Sequence, residues 1–252
     1  MQKFKIATFG CSHSSYMAGE PWPIPLSKMI PSDLVLTNSS GSGNEINVLK
    51  LRQVLEECKP DLAIVQLTDP NRLVLGFDYE SCHKNIRFLD YIGDNNAMDV
   101  PYYTFNHTGN IENLEKFLGE KFHKDVDRLI IRHIITSEHN LYHKVVHTML
   151  AMEGIARSYN TKLVFFSWSI DIQELIEKNG YSKVTKTMNI VPGYIEDFVR
   201  KKNLKPVPEG FFACGHHPTE NHVVIARDFI LPYLLENKFV PIANKFVPES
   251  AL

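Results

Sequence analysis

The chain of 252 residues lacks most of the features that settle a function at sight. It has no run of about 18 apolar residues, the length a helix needs to cross a bilayer, so no membrane partner is expected. It has no excess of one charge. Its 27 Lys and Arg stand against 29 Asp and Glu, a formal net charge of −2, and no nucleic-acid partner is expected either. It has only four cysteines, Cys11, Cys58, Cys82 and Cys214, with no C-x-x-C spacing. The N-terminal stretch Met1 to Gly10 is too short and too strand-like for a signal peptide. Both points argue against a disulfide framework and for a cytoplasmic chain. There is no glycine-rich phosphate loop, which disfavours a nucleotide binder, and there is no internal repeat or low-complexity tract.

What the chain does have is a sizeable core: 44% of its residues are apolar and 22% charged. Lys5 to Phe9, Asp33 to Thr37, Asp61 to Leu67 and Thr161 to Ser167 are short, nearly continuous apolar runs. Such runs predict strands covered on both faces, as in a parallel sheet. Helices are expected between them, over Ile46 to Cys58, Ile170 to Lys178, Tyr194 to Lys202 and from Thr219 onward. A long helix, or two in tandem, is expected over Val126 to Tyr159, and Pro232 should kink or end the last helix. The alternation predicts one domain over 1–252, an α/β/α three-layer sandwich around a flavodoxin-like parallel sheet. It breaks over 70–125, which is read as an insertion or lid. Tyr102 to Phe105 within it is a short strand or a loop.

Two stretches carry chemistry. In Phe9-Gly10-Cys11-Ser12-His13-Ser14 the first strand runs into glycine and then a small nucleophile. Ligands of open α/β sheets bind outside the carboxyl ends of the strands, where Ser12 would sit. Its hydroxyl would face the crevice, and its backbone N–H would be placed to stabilise an oxyanion. The plainer alternative is a strand-to-helix turn with Ser12 or Ser14 as a cap. In Cys214-Gly215-His216-His217-Pro218-Thr219, just before the last helix, His217 could take the serine proton, without which a hydroxyl is a weak nucleophile.

Together these blocks resemble the SGNH, or GDSL-like, hydrolases, which pair Gly-Asp-Ser after the first strand with Asp-x-x-His-Pro before the final helix. Asn38-x-x-x-Ser42-Gly43 is similar to the family's second block and Thr68-Asp69-Pro70-Asn71 to its third. The resemblance implies Ser12 as nucleophile and His217 as base. It implies an oxyanion hole from the N–H groups of Ser12 and Gly43 with the side chain of Asn71. It also implies a small ester substrate, an acylated glycan among them, and no cofactor. An acyltransferase would use the same groups. Nothing in the sequence speaks to the oligomeric state.

The departures are as informative. Cys11 stands where the first block has aspartate, and Cys214 where the last block has the acid that orients the histidine. A thiol does not stabilise an imidazolium as a carboxylate does. Either a Ser–His dyad works with a backbone carbonyl, or Glu209 or Glu220 substitutes, or the crevice is that of a catalytically silent binding module. Cys11, His13, Cys214, His216 and His217 have residue types that could hold zinc, but the serine and His-Pro are explained without it, and no metal is expected. His139, His143 and His147 share one helical face beside an apolar stripe, where boundary histidines are common. Trp22 is expected to pack its proline-rich segment onto the sheet. Trp168, at the end of the fourth strand, could stack on substrate or serve the core.

Overall fold

A computed structural model of the chain describes residues 3–14, 19–38, 43–70, 72–76, 102–106, 138–207 and 217–241. The side chains of Ser12, of 72–76 and 102–106, and of 138 and 139 lie outside the description.

Five strands form one parallel sheet: β1 (Phe4–Phe9), β2 (Ser32–Leu36), β3 (Leu62–Leu67), β6 (Lys162–Ser167) and β7 (Asn189–Tyr194). Their order is β2-β1-β3-β6-β7. This is the doubly wound, flavodoxin-like order, with its switch point between β1 and β3. The strands are apolar throughout because both faces are covered, and alternate side chains serve different layers. Ala7, Phe9, Ala63, Val65, Leu163 and Phe165 pack under α2 (Asn44–Cys58), α3 (Glu138–Ser158) and α4 (Ile172–Lys178). Ile6, Leu62, Ile64, Val164 and Phe166 pack under α1 (Pro23–Met29), α5 (Ile195–Lys201) and the C-terminal helical run.

That run is α6 (Thr219–Val224), a π-helical stretch Ile225–Ile230 and α7 (Leu231–Glu236). The expectation that Pro232 ends or kinks the helix does not hold for its end. A proline interferes with the carbonyl four residues back, and the wider π turn just before it relieves the crowding, so helix continues to Glu236. Helix α1 was not foreseen as a helix. Pro23 and Pro25 fall in its first turn, where a missing N–H costs nothing. Trp22 behind them is fully buried, edge-on to Phe166 at 5.0 Å between ring centroids.

Within 70–125, β4 (Arg72–Gly76) pairs antiparallel with β5 (Tyr102–Asn106) as a separate two-stranded sheet. Tyr102 to Phe105 is therefore strand. In β7, Gly193 adopts φ +76°, a region that costs any other residue, next to a register shift between Phe165 and Ser167. The strand thereby turns over into α5 at the carboxyl edge. Among the described residues no helix is long and apolar enough to cross a membrane.

Candidate active site

Strand β1 hands over to Gly10, Cys11 and a single 3-10 turn, Ser12–Ser14, closed by Ser14 N–H donating to the Cys11 carbonyl at 2.9 Å. The turn folds Ser14 back over Gly10. A Cβ on residue 10 would lie 3.1 Å from Ser14 Cβ and 3.2 Å from Gln66 Cβ, so the glycine is required. Ser12 thus stands at the carboxyl edge of β1, at the switch point of the sheet.

Gln66 organises this turn. It is the lone polar side chain of β3 and is fully buried. Its Oε1 accepts from the Ser14 hydroxyl and, at 3.0 Å, from Trp22 Nε1. Its Nε2 donates to Cys11 Sγ at 3.4 Å. Trp22 Nε1 also reaches Ser14 Oγ at 3.1 Å. Cys11, where the resembling family has aspartate, is a buried thiol held in this network.

The loop after β2 is tied to the same turn. Asn38 Nδ2 donates to the Ser14 carbonyl at 2.8 Å and to Thr8 Oγ1 at 3.3 Å. The Thr37 hydroxyl donates to the Thr8 carbonyl at 2.8 Å. Gly43 caps α2 with extended backbone and is buried. Beside it Asn44 clamps the loop after β3, accepting from Thr68 N–H at 2.9 Å and donating to the Thr68 carbonyl at 3.3 Å. Buried Lys50 donates to the Thr37 carbonyl at 3.1 Å, and burial lowers its ammonium to about 8. The loops following β1, β2 and β3 are therefore one hydrogen-bonded unit.

The opposite end is built differently. His217 is 4% exposed, just ahead of α6. Its ring lies 5.9 Å from that of Trp168, which is itself buried at the end of β6. The Trp168 ring also stacks on His13, at 3.9 Å and 13°. Trp168 is thus the side chain to which both motif blocks come, His13 from the β1 turn and His217 from the last helix. His13 covers one face of its ring. At its other nitrogen-bonded contact, His217 Nδ1 lies 2.9 Å from Asn221 Nδ2. The chain before α6 is further pinned from the β1 side, where Glu20 N–H donates to Thr219 Oγ1 at 2.9 Å.

A cavity of about 220 Å³ is lined by Tyr142, Ser169, Asp171, Lys178 and Tyr194 among others, none of them from the two motif blocks. Glu196, whose N–H donates to the Trp168 carbonyl at 2.9 Å, has its carboxyl raised above the usual range by burial and then by the charge of Asp69.

Of the residues expected from sequence, the backbone of Ser12, with Gly43 and His217, falls on elements that end at this edge. Glu220 is exposed in the first turn of α6. Asn71, Glu209, Cys214 and His216 lie outside the described residues, as does the His139 side chain. His143 packs edge-on to Tyr181 at 5.1 Å, a boundary histidine. Among the described residues no three His, Cys, Asp or Glu stand together as a metal site. Sequence reading missed Gln66, Asn221 and the pairing of Trp168 with two histidines. A polar residue inside an all-apolar strand was the one signal that could have flagged Gln66.

No protein-family model matches the chain, and no curated protein matches it. Solved structures are similar in path. The crystal structure of TesA is 15% identical, over 91% of this chain and 97% of that one, with a TM-score of 0.48. A GDSL-like lipase from Bacteroides thetaiotaomicron VPI-5482 is 10% identical over 92% and 88%, with a TM-score of 0.44. The acetyl xylan esterase Est2A from the rumen bacterium Butyrivibrio proteoclasticus is 13% identical over 95% of this chain and 66% of that one, with a TM-score of 0.47. At these identities the likeness is one of outline, and the chemistry rests on this chain's own residues.

Proposed function

We propose that this protein is a hydrolase of ester bonds, with Ser12 as nucleophile and His217 as base. The observation that supports it is the shared contact on Trp168: His13, next to Ser12, and His217 both reach that ring. In this reading Ser12 Oγ attacks the acyl carbonyl while His217 takes its proton. The N–H groups of Ser12 and Gly43, the latter at the N-terminus of a 15-residue helix, hold the oxyanion together with Asn71. His217 then gives the proton to the departing alcohol. Water, deprotonated by the same ring, releases the acid from the acyl-serine. The substrate is a small ester, an O-acylated carbohydrate included. With an alcohol in place of water the same groups would make an acyltransferase.

A fluorophosphonate probe and a short-chain aryl ester test this. Labelling at Ser12 that is lost in Ser12→Ala, with ester turnover lost alongside, is the expected result. Absence of labelling and of turnover from mildly acidic to alkaline pH sinks it. A catalytically silent module binding its ligand in the same crevice is the second reading. What favours it is the group on His217 Nδ1, an amide nitrogen where a catalytic histidine meets an acceptor.

A further inference from the structure

The Asn221 amide has a decided orientation. Its Nδ2 lies 2.6 Å from the Lys205 carbonyl oxygen, which can only accept. The atom facing that carbonyl must therefore be the nitrogen. A turned-over amide would set two oxygens against each other at that distance. The same nitrogen lies 2.9 Å from His217 Nδ1. With one of its hydrogens used by Lys205, the other is left for the imidazole, so Nδ1 accepts and carries no proton. A neutral imidazole has one N–H, and it must then be on Nε2. The backbone holds this arrangement: Asn221 N–H donates to the Pro218 carbonyl at 3.1 Å, fixing the residue in the first turn of α6.

We propose that Asn221 is a positioning residue that holds neutral His217 in its Nε2–H form, so that the resting crevice offers a hydrogen-bond donor where a general base would offer a lone pair. The proposal rests on the reading of His217 as the group that serves Ser12. It explains how a chain with Cys214 in place of the acid keeps its histidine ordered. The ring is fixed by a neutral donor instead of a carboxylate, and the cost is the wrong tautomer for accepting a serine proton. For turnover the ring proton must leave Nε2 and a proton must be carried on Nδ1. The Asn221 side chain must then turn over and swing away from the Lys205 carbonyl, which would repel its oxygen, to present Oδ1 to the new Nδ1–H. Nε2 then carries the lone pair that a proton from Ser12 Oγ requires. The resting form favours binding an acceptor, such as an ester carbonyl, over activating the nucleophile.

The test uses the full chain labelled with ¹⁵N-histidine, the His217 signals being assigned by their loss in His217→Gln. At a pH where the ring is neutral, Nε2 is expected at the protonated, pyrrole-type shift and Nδ1 at the bare, pyridine-type shift. The reverse pattern overturns the proposal. Asn221→Asp supplies an acceptor and should move the proton to Nδ1. It should also raise kcat, with KM little changed, by at least tenfold and up to about 10⁴-fold, the penalty a misplaced tautomer carries in a serine triad. Asn221→Ala should not raise kcat. An Asn221→Asp ring still protonated on Nε2 overturns the proposal, and if that variant does not fold the wild-type spectrum decides alone. The two readings fail separately. Nε2–H in the wild type that switches in Asn221→Asp, with no labelling at Ser12 in either, upholds the role of Asn221 and sinks the hydrolase. Nδ1–H in a wild type that does label at Ser12 does the opposite.

Discussion

The two ends of the crevice are held by different means. On the β1 side, Gly10 to Ser14 is enclosed by buried Trp22 and Gln66 and half-buried Asn38, which bond the Ser14 hydroxyl, the Cys11 thiol and the Ser14 carbonyl. On the α6 side, His217 meets the rings of Trp168 and His222 and the half-buried Asn221 amide. The first end is joined chiefly by side-chain hydrogen bonds; the second is packed chiefly ring against ring. On the proposed mechanism the nucleophile needs a fixed backbone, because its own N–H and that of Gly43 would form the hole for the oxyanion, and precision there would lower the barrier. A proton carrier needs reach and the right tautomer, which a packed ring and one amide partner can supply.

Substitutions should separate the ends by their effect on stability. Gln66→Leu keeps the volume but leaves the Ser14 hydroxyl without its acceptor and Trp22 Nε1 with one partner fewer, both buried. It should cost about 3 kcal/mol in chemical denaturation. A loss below about 1 kcal/mol would mean that the β1 turn is not part of the core.

Lys50 gives the same end a pH dependence. Its folded value is about 8 against an ordinary 10.5. Below pH 8 both states hold the proton, and the folded chain bears the cost of a buried charge. Between about 8 and 10.5 the unfolded chain keeps a proton that the folded chain has lost, so stability rises with pH. Lys50→Met should remove a rise on the order of 2 kcal/mol across that window. Lys144, also lowered to about 8 by burial, acts in the same sense in both proteins, so the difference between them isolates Lys50.

At the other end effects should be smaller. Thr219→Val removes the acceptor for Glu20 N–H and should cost about 1 kcal/mol, read as a shift in denaturation midpoint. His217→Gln, whose amide can still meet Asn221, should cost about 1 kcal/mol as well, while abolishing ester turnover. If His217→Gln proved as destabilising as Gln66→Leu, the contrast between the ends would be wrong.

The strands could be read in advance because a sheet buried on both faces writes itself as unbroken apolar runs. Ala63 to Val65 serve two layers with consecutive residues, and no turn intrudes. Ser12 and His217 were legible for another reason: each sits in a short local pattern at a strand end or a helix start. The supporting groups were not legible. Gln66 meets Ser14 across 52 positions of chain, and Thr219 meets Glu20 across 199. No periodicity encodes which distant donor a buried amide will satisfy. Asn221 lies close to His217 in sequence, but its meaning comes from the Lys205 carbonyl, 16 positions back in the chain. Helix α1 was hidden by its prolines, which mark a loop unless they fall in a first turn. The continuation past Pro232 was hidden because a π turn has no sequence signature of its own.

The chain has two tryptophans, and each belongs to one end of the crevice. Trp22 donates into the Gln66 network, and Trp168 stacks on His13 and touches His217. The protein thus carries two built-in optical reporters with separate allegiances. An indole against an imidazole loses emission when that ring becomes cationic, because the cation accepts an electron from the excited state. In Trp22→Phe the remaining emission would follow the protonation of the two histidines and the arrival of a ligand between them. In Trp168→Phe it would follow the intactness of the β1 turn alone, so that one could watch the proton carrier and the scaffold of the nucleophile in separate cuvettes.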